Sequence, residues 1–436
     1  MKTVIMAGGR GTRLGALSEQ IPKPLAKIQG MPILERELAC LQEQGYRDIL
    51  LTVSYMGKAI QDYFGDGSGI SPVTGPPFGV HIEYFFEQEP LGNAGALFRV
   101  REKLTEDFLL LNADSLFEVD LGKLVAFHRE KGALATLLTH PNSHPYDSAL
   151  LIADDHGVVR EWLAKDDSRP QWYQNRVNAG IHVLSRRLLE QNISSGKVDL
   201  DKHLLKPLAG TGQLYCYDST EYVKDMGTPK RMAQVARDMQ SGLMQRRSLG
   251  RPRAAVFLDR DGVLNRYAGF VRSPEELELL PGVAEAVRRI NEIGYLAIVA
   301  TNQPVLARGE VTWGQLTEIH AKLETLLGRE GAYVDDFFVC PHHPDKGFAG
   351  EVPKLKIDCD CRKPKPGLLY QAAAKHNLDL SLCWMVGDSG SDIQAGRRAG
   401  TWTAFLHGAG TAPEGGEYGQ DESDASLLDF VEKRGW

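Results

Sequence analysis

Short apolar runs alternate with helical patterns along the chain. Four of the runs predict buried strands, at residues 4–6, 49–53, 108–111 and 134–138. Residues 32–44 favour a helix, because Pro32 suits a first turn, three leucines fall on one face and Gly45 can end it. Alternating strands and helices predict an α/β fold, with a largely parallel sheet covered by helices.

The pattern stops and restarts near residue 250. Residues 241–253 are polar and basic and contain glycine and proline, which is typical of a linker. New strands are predicted at 254–258, 295–300 and 383–386. A chain of 436 residues also exceeds the roughly 250–300 at which a single core stops growing. We therefore predict two domains, residues 1–240 and 254–436, joined by a linker at 241–253.

Charge and hydropathy narrow the classes of function. A net charge of −7 gives no general attraction for nucleic acid or acidic membranes, so phosphate binding has to come from local clusters. No run approaches the ~18 apolar residues of a membrane helix, and the first apolar run is too short for a signal peptide. These features predict a cytoplasmic protein that acts on small molecules. They do not indicate an oligomeric state.

A glycine-rich loop follows the first strand. Residues 7–14 read AGGRGTRL, and glycines let backbone N–H groups approach phosphate oxygens. The loop lacks the Gly-Lys-Ser/Thr ending of a Walker loop, and Leu14 stands where a dinucleotide fingerprint needs a third glycine. The remaining interpretation is a phosphate loop carrying two arginines, followed by Pro22-Lys23-Pro24.

Together with segments 89–96, 112–114, 178–180 and 225–229, this loop resembles the sugar-1-phosphate nucleotidyltransferases over about residues 1–235. The resemblance implies a Rossmann-like, GT-A-like fold. It also implies a reaction in which a sugar 1-phosphate attacks the α-phosphorus of a nucleoside triphosphate. Asp114 and Asp225 would bind Mg²⁺, an ion that prefers carboxylate and phosphate oxygens. Arg13 and Lys23 would stabilise the developing charge.

The same resemblance implies the substrate contacts. The nucleotide would lie against glycines and a threonine, namely Gly8, Gly9, Gly11, Thr12 and Gly92. The sugar phosphate would contact Lys165, Asn178 and Gly180. The family often has glutamate before this lysine, where the present chain has Ala164, so Lys165 is equally compatible with a solvated surface position.

A second constellation begins at Asp259. Residues 256–263 read VFLDRDGV, and two aspartates directly after a buried strand would repel each other without a cation between them. Thr301-Asn302, Arg362-Lys363-Pro364 and Gly387-Asp388 follow in order. This set is similar to that of the haloacid dehalogenase superfamily of phosphatases, over about residues 254–410, and implies a second Rossmann-like fold.

By that resemblance Asp259 is the nucleophile, and Asp261 protonates the leaving group and then activates water. Thr301 and Lys363 would hold the transferring phosphoryl group. Asp259, Asp388 and the backbone carbonyl of Asp261 would bind Mg²⁺.

Two further residues are assigned to substrate binding, Asn302 and Arg362. The planar guanidinium of Arg362 could grip a second substrate phosphate in bidentate fashion. A carboxylate near the cysteine-rich segment is an equally good partner for Arg362, and both interpretations stay open.

Three cysteines and a histidine crowd into one segment, namely Cys340, His342, Cys359 and Cys361. Three thiolates and one imidazole make a closed tetrahedral set, which is typical of structural Zn²⁺. The zinc-binding loop makes the C-terminal half similar to heptose-1,7-bisphosphate and histidinol-phosphate phosphatases. The N-terminal motifs also look like those of heptose-1-phosphate guanylyltransferases.

These resemblances imply one bifunctional enzyme of nucleotide-activated heptose synthesis. The phosphatase half would remove the C7 phosphate of D-glycero-D-manno-heptose 1,7-bisphosphate, and the transferase half would join heptose 1-phosphate to GMP from GTP. One alternative keeps both reactions on another sugar phosphate, such as mannose 1-phosphate. A second alternative makes the N-terminal half a regulatory module that binds a nucleotide sugar.

Overall fold

The computed structural model describes residues 1–9, 21–190, 197–408 and 418–436. Gly11, Thr12 and Arg13 lie outside the described residues. The chain forms two compact units. Unit 1 comprises residues 1–139, 151–162 and 178–244, and unit 2 comprises residues 140–150, 163–177 and 245–436.

The strands of the first half, in chain order, are β1 Thr3–Met6, β2 Lys27–Ile28, β3 Met31–Pro32, β4 Asp48–Val53, β5 His81–Phe86, β6 Phe108–Asn112, β7 Ser115–Glu118, β8 Ala135–His140, β9 Leu150–Ala153, β10 Val159–Leu163, β11 Val177–Leu184, β12 Leu214–Asp218 and β13 Tyr222–Asp225. The α-helices are α1 Ile33–Glu43, α2 Gly57–Phe64, α3 Gly95–Val100, α4 Leu121–Lys131, α5 Pro229–Gln240 and α6 Leu243–Arg246.

The large sheet runs in the order β10-β9-β11-β6-β1-β4-β5, and β8 and β12 extend it from β11. Its centre is parallel, since β1 pairs in parallel with both β4 and β6, whereas β11 runs antiparallel to β6. The predicted α/β class is thereby confirmed. Parallel strands carry their carboxyl ends to one edge, so the residues that follow β1, β4 and β6 meet there.

Helix α1 confirms the helix predicted at residues 32–44. Leu34, Leu38 and Leu41 are each at most 1% exposed and form the buried face. The helix also buries Glu35 and Glu37, which the apolar pattern does not explain. Buried carboxyl groups need hydrogen-bond donors, and Glu37 accepts the N–H of Ser115 at the edge just described.

The second half contains a six-stranded sheet in the order β16-β15-β14-β17-β18-β19, with every pairing parallel. Its strands are β14 Ala255–Leu258, β15 Leu296–Asn302, β16 Asp336–Cys340, β17 Trp384–Gly387, β18 Trp402–Leu406 and β19 Glu422–Asp424. Its helices are α7 Val283–Ile293, α8 Pro304–Ala307, α9 Trp313–Arg329, α10 Gly367–His376, α11 Gly390–Ala399 and α12 Leu427–Lys433.

Strand β14 lies in the middle of this sheet, and all four of its residues are fully buried. β15 and β17 flank it, so the residues after these three strands converge on one edge. Asp259, Gln303 and Asp388 are the residues that directly follow them.

The stretch predicted as a linker contains helix α6 and two buried arginines. Arg247 pairs with Asp335 at 2.5 Å, and the guanidinium of Arg253 donates to the carbonyl of His376 at 2.6 and 2.8 Å. The predicted domain limits stay a prediction.

Unit 2 is discontinuous in the chain, because it includes residues 163–177. Within it, the backbone N–H of Tyr173 donates to the Thr325 hydroxyl at 2.9 Å, and that hydroxyl contacts the Tyr173 carbonyl at 3.1 Å. Nowhere in the described ranges is a helix both long and apolar enough to span a lipid bilayer.

Candidate active sites

A cavity of about 560 Å³ opens at the carboxyl edge of β1, β4 and β6 in unit 1. Three segments singled out in the sequence line it: Gly8 and Gly9 after β1, Lys23, and Asp114 after β6. Gly92 lines it as well. The structure therefore brings together the described members of the predicted nucleotide site.

Lys23 forms an ion pair with Asp114. Strand β13 lies antiparallel to β7 with Asp225 opposite Ser115, and the N–H of Met226 donates to the Asp114 carbonyl at 2.8 Å. The backbone thus places Asp225, the last residue of β13, beside Asp114, which directly precedes β7. Arg231 donates to both oxygens of Asp225, at 2.8 and 2.7 Å.

Glu37 is a buried residue that contacts the backbone of this site, and no sequence motif pointed to it. Its carboxyl group accepts the N–H of Ser115 at 3.0 Å, next to Asp114. Burial raises the pKa of Glu37 well above its usual range, and the nearby Asp114 raises it further. The only sequence signal was a glutamate on the apolar side of a predicted helix.

Gly92 needs to be glycine for two reasons. Its φ is +82°, a backbone angle that residues with a side chain rarely adopt. A Cβ there would also collide with the backbone of Val198. The adjacent Asn93 accepts the N–H of Leu200 at 2.7 Å.

The predicted sugar contacts do not all fall in one unit. In unit 1, the Asn178 side-chain oxygen accepts the N–H of Gly180 at 3.0 Å and lies 3.1 Å from Nε2 of the buried His182. Lys165 belongs to unit 2, where it pairs with Asp147.

The site of unit 2 is built around a buried lysine. Lys363 Nζ lies 2.9 Å from Asp259 and 2.6 Å from Asp392, and its side chain is 1% exposed. Carboxylate oxygens of Asp259, Asp388 and Asp392 come within 4.8 Å of one another. Asp392 also caps helix α11 by accepting from the hydroxyl and N–H of Ser389, so it both caps the helix and joins the cluster.

The carboxylates of this cluster repel one another, and this repulsion shifts their pKa values. Burial raises the pKa of Asp259 to about 6, Lys363 opposes this shift, and Asp392 and Asp261 add to it. Burial alone would lower the pKa of Lys363, but Asp259 and Asp392 raise it above its usual value. A divalent cation among the carboxylates would relieve their repulsion.

Asp261 is held by three donors. Arg260 contacts it with Nε and Nη2, Asn265 donates at 3.0 Å and Gln303 at 2.9 Å. Burial would raise the pKa of Asp261, but these partners, Arg260 foremost, lower it. Sequence patterns assigned no role to Arg260, although it stands between the two aspartates of residues 256–263, or to Gln303, which directly follows Thr301-Asn302.

Gln303 also joins Asp261 to Thr301, whose hydroxyl oxygen lies 2.9 Å from the Gln303 amide nitrogen. Asn302 exchanges two hydrogen bonds of 3.0 Å with the backbone of Lys363. The predicted residues Asp259, Thr301, Asn302 and Lys363 therefore form one connected site.

Two family models match the chain. The nucleotidyl transferase model matches residues 2–242, and the haloacid dehalogenase-like hydrolase model matches residues 151–400. The chain belongs to both families. Each match covers more than half of the 436 residues, and the two ranges overlap at 151–242.

Relatives are known for each family. A mannose-1-phosphate guanylyltransferase of Mycobacterium tuberculosis is 30% identical over 55% of this chain and 65% of its own length. The chain thus spans less than two thirds of that relative. A D-glycero-D-manno-heptose-1,7-bisphosphate 7-phosphatase of Thermosynechococcus vestitus is 42% identical over 35% of this chain and 77% of its own length. The structure of HddC from Yersinia pseudotuberculosis with GMP-PN is 24% identical, has a TM-score of 0.46, and covers 55% of this chain and 99% of HddC.

The hydrolase-family domain carries the cysteine cluster. Sγ of Cys361 lies 3.2 Å from that of Cys340, 3.3 Å from that of Cys359 and 3.3 Å from Nδ1 of His342. Tetrahedral Zn²⁺ with Zn–S bonds of about 2.3 Å needs sulfurs roughly 3.8 Å apart, so the donor set is close to the required size. The side-chain hydrogen bond between Cys361 and Cys340 lowers the pKa of Cys361 to about 5, which favours a thiolate.

Arg362 lies between this cluster and Lys363. Its Nη1 donates to the carbonyl of His342 at 3.3 Å. The guanidinium therefore touches the backbone of a predicted zinc ligand, and both interpretations of Arg362 stay predictions.

Proposed function

We propose that the chain is a bifunctional enzyme of nucleotide-activated heptose synthesis. Its hydrolase domain removes the C7 phosphate of D-glycero-D-manno-heptose 1,7-bisphosphate, and its transferase domain converts heptose 1-phosphate and GTP to GDP-heptose and pyrophosphate. The observation that carries this proposal is the connected Asp259–Lys363–Asp392 site in a domain 42% identical to a heptose-bisphosphate phosphatase.

In the hydrolase domain, a carboxylate oxygen of Asp259 attacks phosphorus. The bond to the C7 oxygen breaks, and the leaving alkoxide takes a proton from Asp261. Water, deprotonated by Asp261, then displaces Asp259 from the aspartyl-phosphate and releases inorganic phosphate. A bound phosphate dianion would raise the proton affinity of Asp261 and so oppose the lowering of its pKa by Arg260.

Two metals fit the residues present. Asp259, Asp388 and the backbone carbonyl of Asp261 would hold Mg²⁺, which when bound neutralises charge on the phosphoryl group. Four carboxylates (Asp259, Asp261, Asp388, Asp392) face two cations, Lys363 and Arg260, which leaves an excess of negative charge for the metal. The closed cysteine and histidine set would hold a structural Zn²⁺.

In the transferase domain, an oxygen of the sugar 1-phosphate attacks the α-phosphorus of GTP, and pyrophosphate leaves. Positioning and charge neutralisation dominate such transfers. Lys23 and the backbone at Gly8, Gly9 and Gly92 would contact the phosphates. Asp114 and Asp225 would hold Mg²⁺.

One rival substrate has an observation in its favour. The transferase domain is 30% identical to a mannose-1-phosphate guanylyltransferase, so mannose 1-phosphate is the second candidate for the acceptor sugar. The hydrolase partner favours heptose, because the anomeric phosphate that the transferase consumes is the one a 7-phosphatase leaves in place.

The test is a release assay on the full chain. Heptose 1,7-bisphosphate with Mg²⁺ and GTP should yield inorganic phosphate first, then pyrophosphate and GDP-heptose. The acceptor panel includes heptose 1-phosphate and mannose 1-phosphate. Faster transfer to mannose 1-phosphate would replace the heptose assignment, and removal of the anomeric phosphate first would reject the two-step order.

A further inference from the structure

Arg260, which donates to the carboxylate of Asp261, is completely buried. Its Nε and Nη2 groups contact that carboxylate at 3.2, 2.9 and 2.8 Å. A guanidinium has five N–H donors and no acceptor, and buried donors need acceptors within the protein. Among the described residues, Nη1 has one hydrogen-bond partner, Nε2 of His320, at the long distance of 3.5 Å. Arg260 is therefore held between Asp261 on one edge and His320 on the other.

His320 lies on the buried face of helix α9. Leu316, Leu323 and Leu327 share this face at helical spacing, and each is at most 2% exposed. This apolar stripe explains why position 320 is buried, but a leucine would fill such a position without bringing a polar atom. A buried imidazole has to be paired, so the presence of histidine draws attention to the nitrogen that faces Arg260.

A second contact fixes the plane of the imidazole. The ring of His320 stacks on the ring of Phe337 in β16, with centroids 4.4 Å apart and an interplanar angle of 15°. β16 pairs with β15, the strand that ends at Thr301 and Asn302. The sheet that carries the catalytic residues therefore also holds the ring whose Nε2 contacts Arg260.

The imidazole of His320 is neutral at physiological pH. Burial and the nearby Arg260 lower the pKa of His320 to about 3, although Asp261 opposes the shift. A neutral imidazole has one donor and one acceptor nitrogen, and a guanidinium can only donate. Nε2 is therefore the acceptor, and the proton is assigned to Nδ1.

We infer that His320 is a positioning residue for the hydrolase reaction: its Nε2 holds one edge of Arg260, which keeps the other edge on Asp261 and the Asp261 carboxylate in place. Without this acceptor, Nη1 would be buried and unpaired, which costs free energy that a turn of the guanidinium would relieve. Asp261 would then shift. The inference rests on the proposed role of Asp261 in protonating the leaving group, and it does not depend on which sugar phosphate is hydrolysed.

Two substitutions separate the acceptor from the packing. His320→Phe keeps a ring that can stack on Phe337 but removes Nε2. His320→Gln removes the ring but keeps an acceptor, its side-chain oxygen. The control, His407→Phe, makes the same chemical change at an exposed position.

The experiment measures kcat/KM of the full chain with Mg²⁺ for two leaving groups. Heptose 1,7-bisphosphate releases an alkoxide that has to be protonated, whereas p-nitrophenyl phosphate releases a phenolate that does not. For His320→Phe we expect a fall of about 10- to 100-fold for the alkyl ester and a change within about twofold for the aryl ester, as for a displaced general acid. His320→Gln and His407→Phe should retain most of the activity on both esters.

Three outcomes would overturn the inference. The first is an equal loss on both esters in His320→Phe, because a general disturbance of the site affects every leaving group. The second is full alkyl-ester activity in that variant, and the third is a selective loss of alkyl-ester activity in His320→Gln. If His320→Phe does not fold, His320→Leu takes its place, since leucine suits the apolar stripe.

The same assay separates this inference from the proposed function. If the unmodified protein does not hydrolyse heptose 1,7-bisphosphate, the proposed substrate is wrong. The fastest member of a panel of sugar phosphates then serves as the alkyl ester, and the comparison with p-nitrophenyl phosphate decides the role of His320 as before.

Discussion

The two candidate sites differ in how much of the machinery is assembled before substrate arrives. In the hydrolase domain Lys363 is buried between Asp259 and Asp392, and Gln303 and Asn302 tie the neighbouring side chains together. Among the described residues of the transferase domain the corresponding elements line a cavity, and the side chain of Asp225 is 41% exposed.

This difference follows from where the nucleophile comes from. In the proposed phosphatase reaction the protein supplies it, so folding has to place one carboxylate oxygen and hold it. In the proposed transfer reaction the nucleophile arrives on the sugar phosphate, so the protein supplies a cradle and charge for two mobile reactants. In a site of the first kind, most polar contacts hold one protein side chain in place. In a site of the second kind, the polar groups stay available to bind the ligands.

The largest effect should come from removing one site at a time. Asp259→Asn should lower phosphatase turnover by roughly 10⁴-fold or more, because the amide cannot form the acyl phosphate. Pyrophosphate release from heptose 1-phosphate and GTP should stay within about twofold, within assay error. Asp114→Asn is the matched converse, with transfer lost and phosphatase retained. Loss of both activities in either folded variant would contradict two independent sites.

Zinc should stabilise only the hydrolase side of the comparison. Cys361→Ser removes one of four donors, and a ligand present at a thousandfold its Kd contributes about 4 kcal/mol. The melting temperature of the unit 2 transition should fall by roughly 8–16 °C. Metal analysis should drop from one Zn²⁺ per chain to none. Cys40→Ser, outside the cluster, is the control. If the unmodified protein is fully stable without bound metal, the structural zinc site is rejected.

The stability of unit 1 should depend on pH because His182 is buried. Burial lowers the pKa of His182 to about 4 from the usual 6.5. Below pH 6.5 the unfolded chain takes up this proton while the folded chain does not, so stability falls as pH drops from 6.5 to 4. The loss should reach about 3 kcal/mol.

His182→Gln should flatten that part of the denaturant-derived stability curve, whereas His156→Gln, at an exposed position, should not. In unit 2, burial lowers the pKa of His320 to about 3, so its transition should show a slope of the same sign over a wider range. An unchanged slope in His182→Gln would mean that the folded protein takes up the proton as easily as the unfolded chain.

The smallest effect tests how tightly the hydrolase site is packed. Gly262 has φ +88°, and a Cβ there would overlap the Asp388 carboxylate. Gly262→Ala should displace Asp388 and lower phosphatase turnover by about 10- to 100-fold, as for residues that orient metal ligands. Gly400→Ala is the control, since Gly400 has φ +82° but open space around its Cα. Equal losses in both variants would mean that backbone strain, not the carboxylate, is responsible.

Sequence patterns predicted the strands and the residues that follow them, because burial and strand ends are local properties. They placed Asp259 and Lys363 in one site, and the 2.9 Å contact between them agrees. They did not identify Arg260, Gln303 or Glu37. These residues act through contacts that depend on tertiary packing, and an arginine, glutamine or glutamate in those positions carries no periodicity of its own.

The hydrogen bonds between Tyr173 and Thr325 can form only after the ribosome has synthesised both residues. The two residues are 152 positions apart, so a ribosome adding about 5–20 residues per second exposes the first some 8–30 s before the second. During that interval residues 163–177 lack their partners on helix α9, Thr325 and Glu324, and the backbone N–H groups of Tyr173 and Asn175 that donate to them stay accessible to proteases and chaperones. Slow codons between those for Tyr173 and Thr325 would lengthen this exposure. In a protein truncated before helix α9, residues 163–177 would stay exposed permanently.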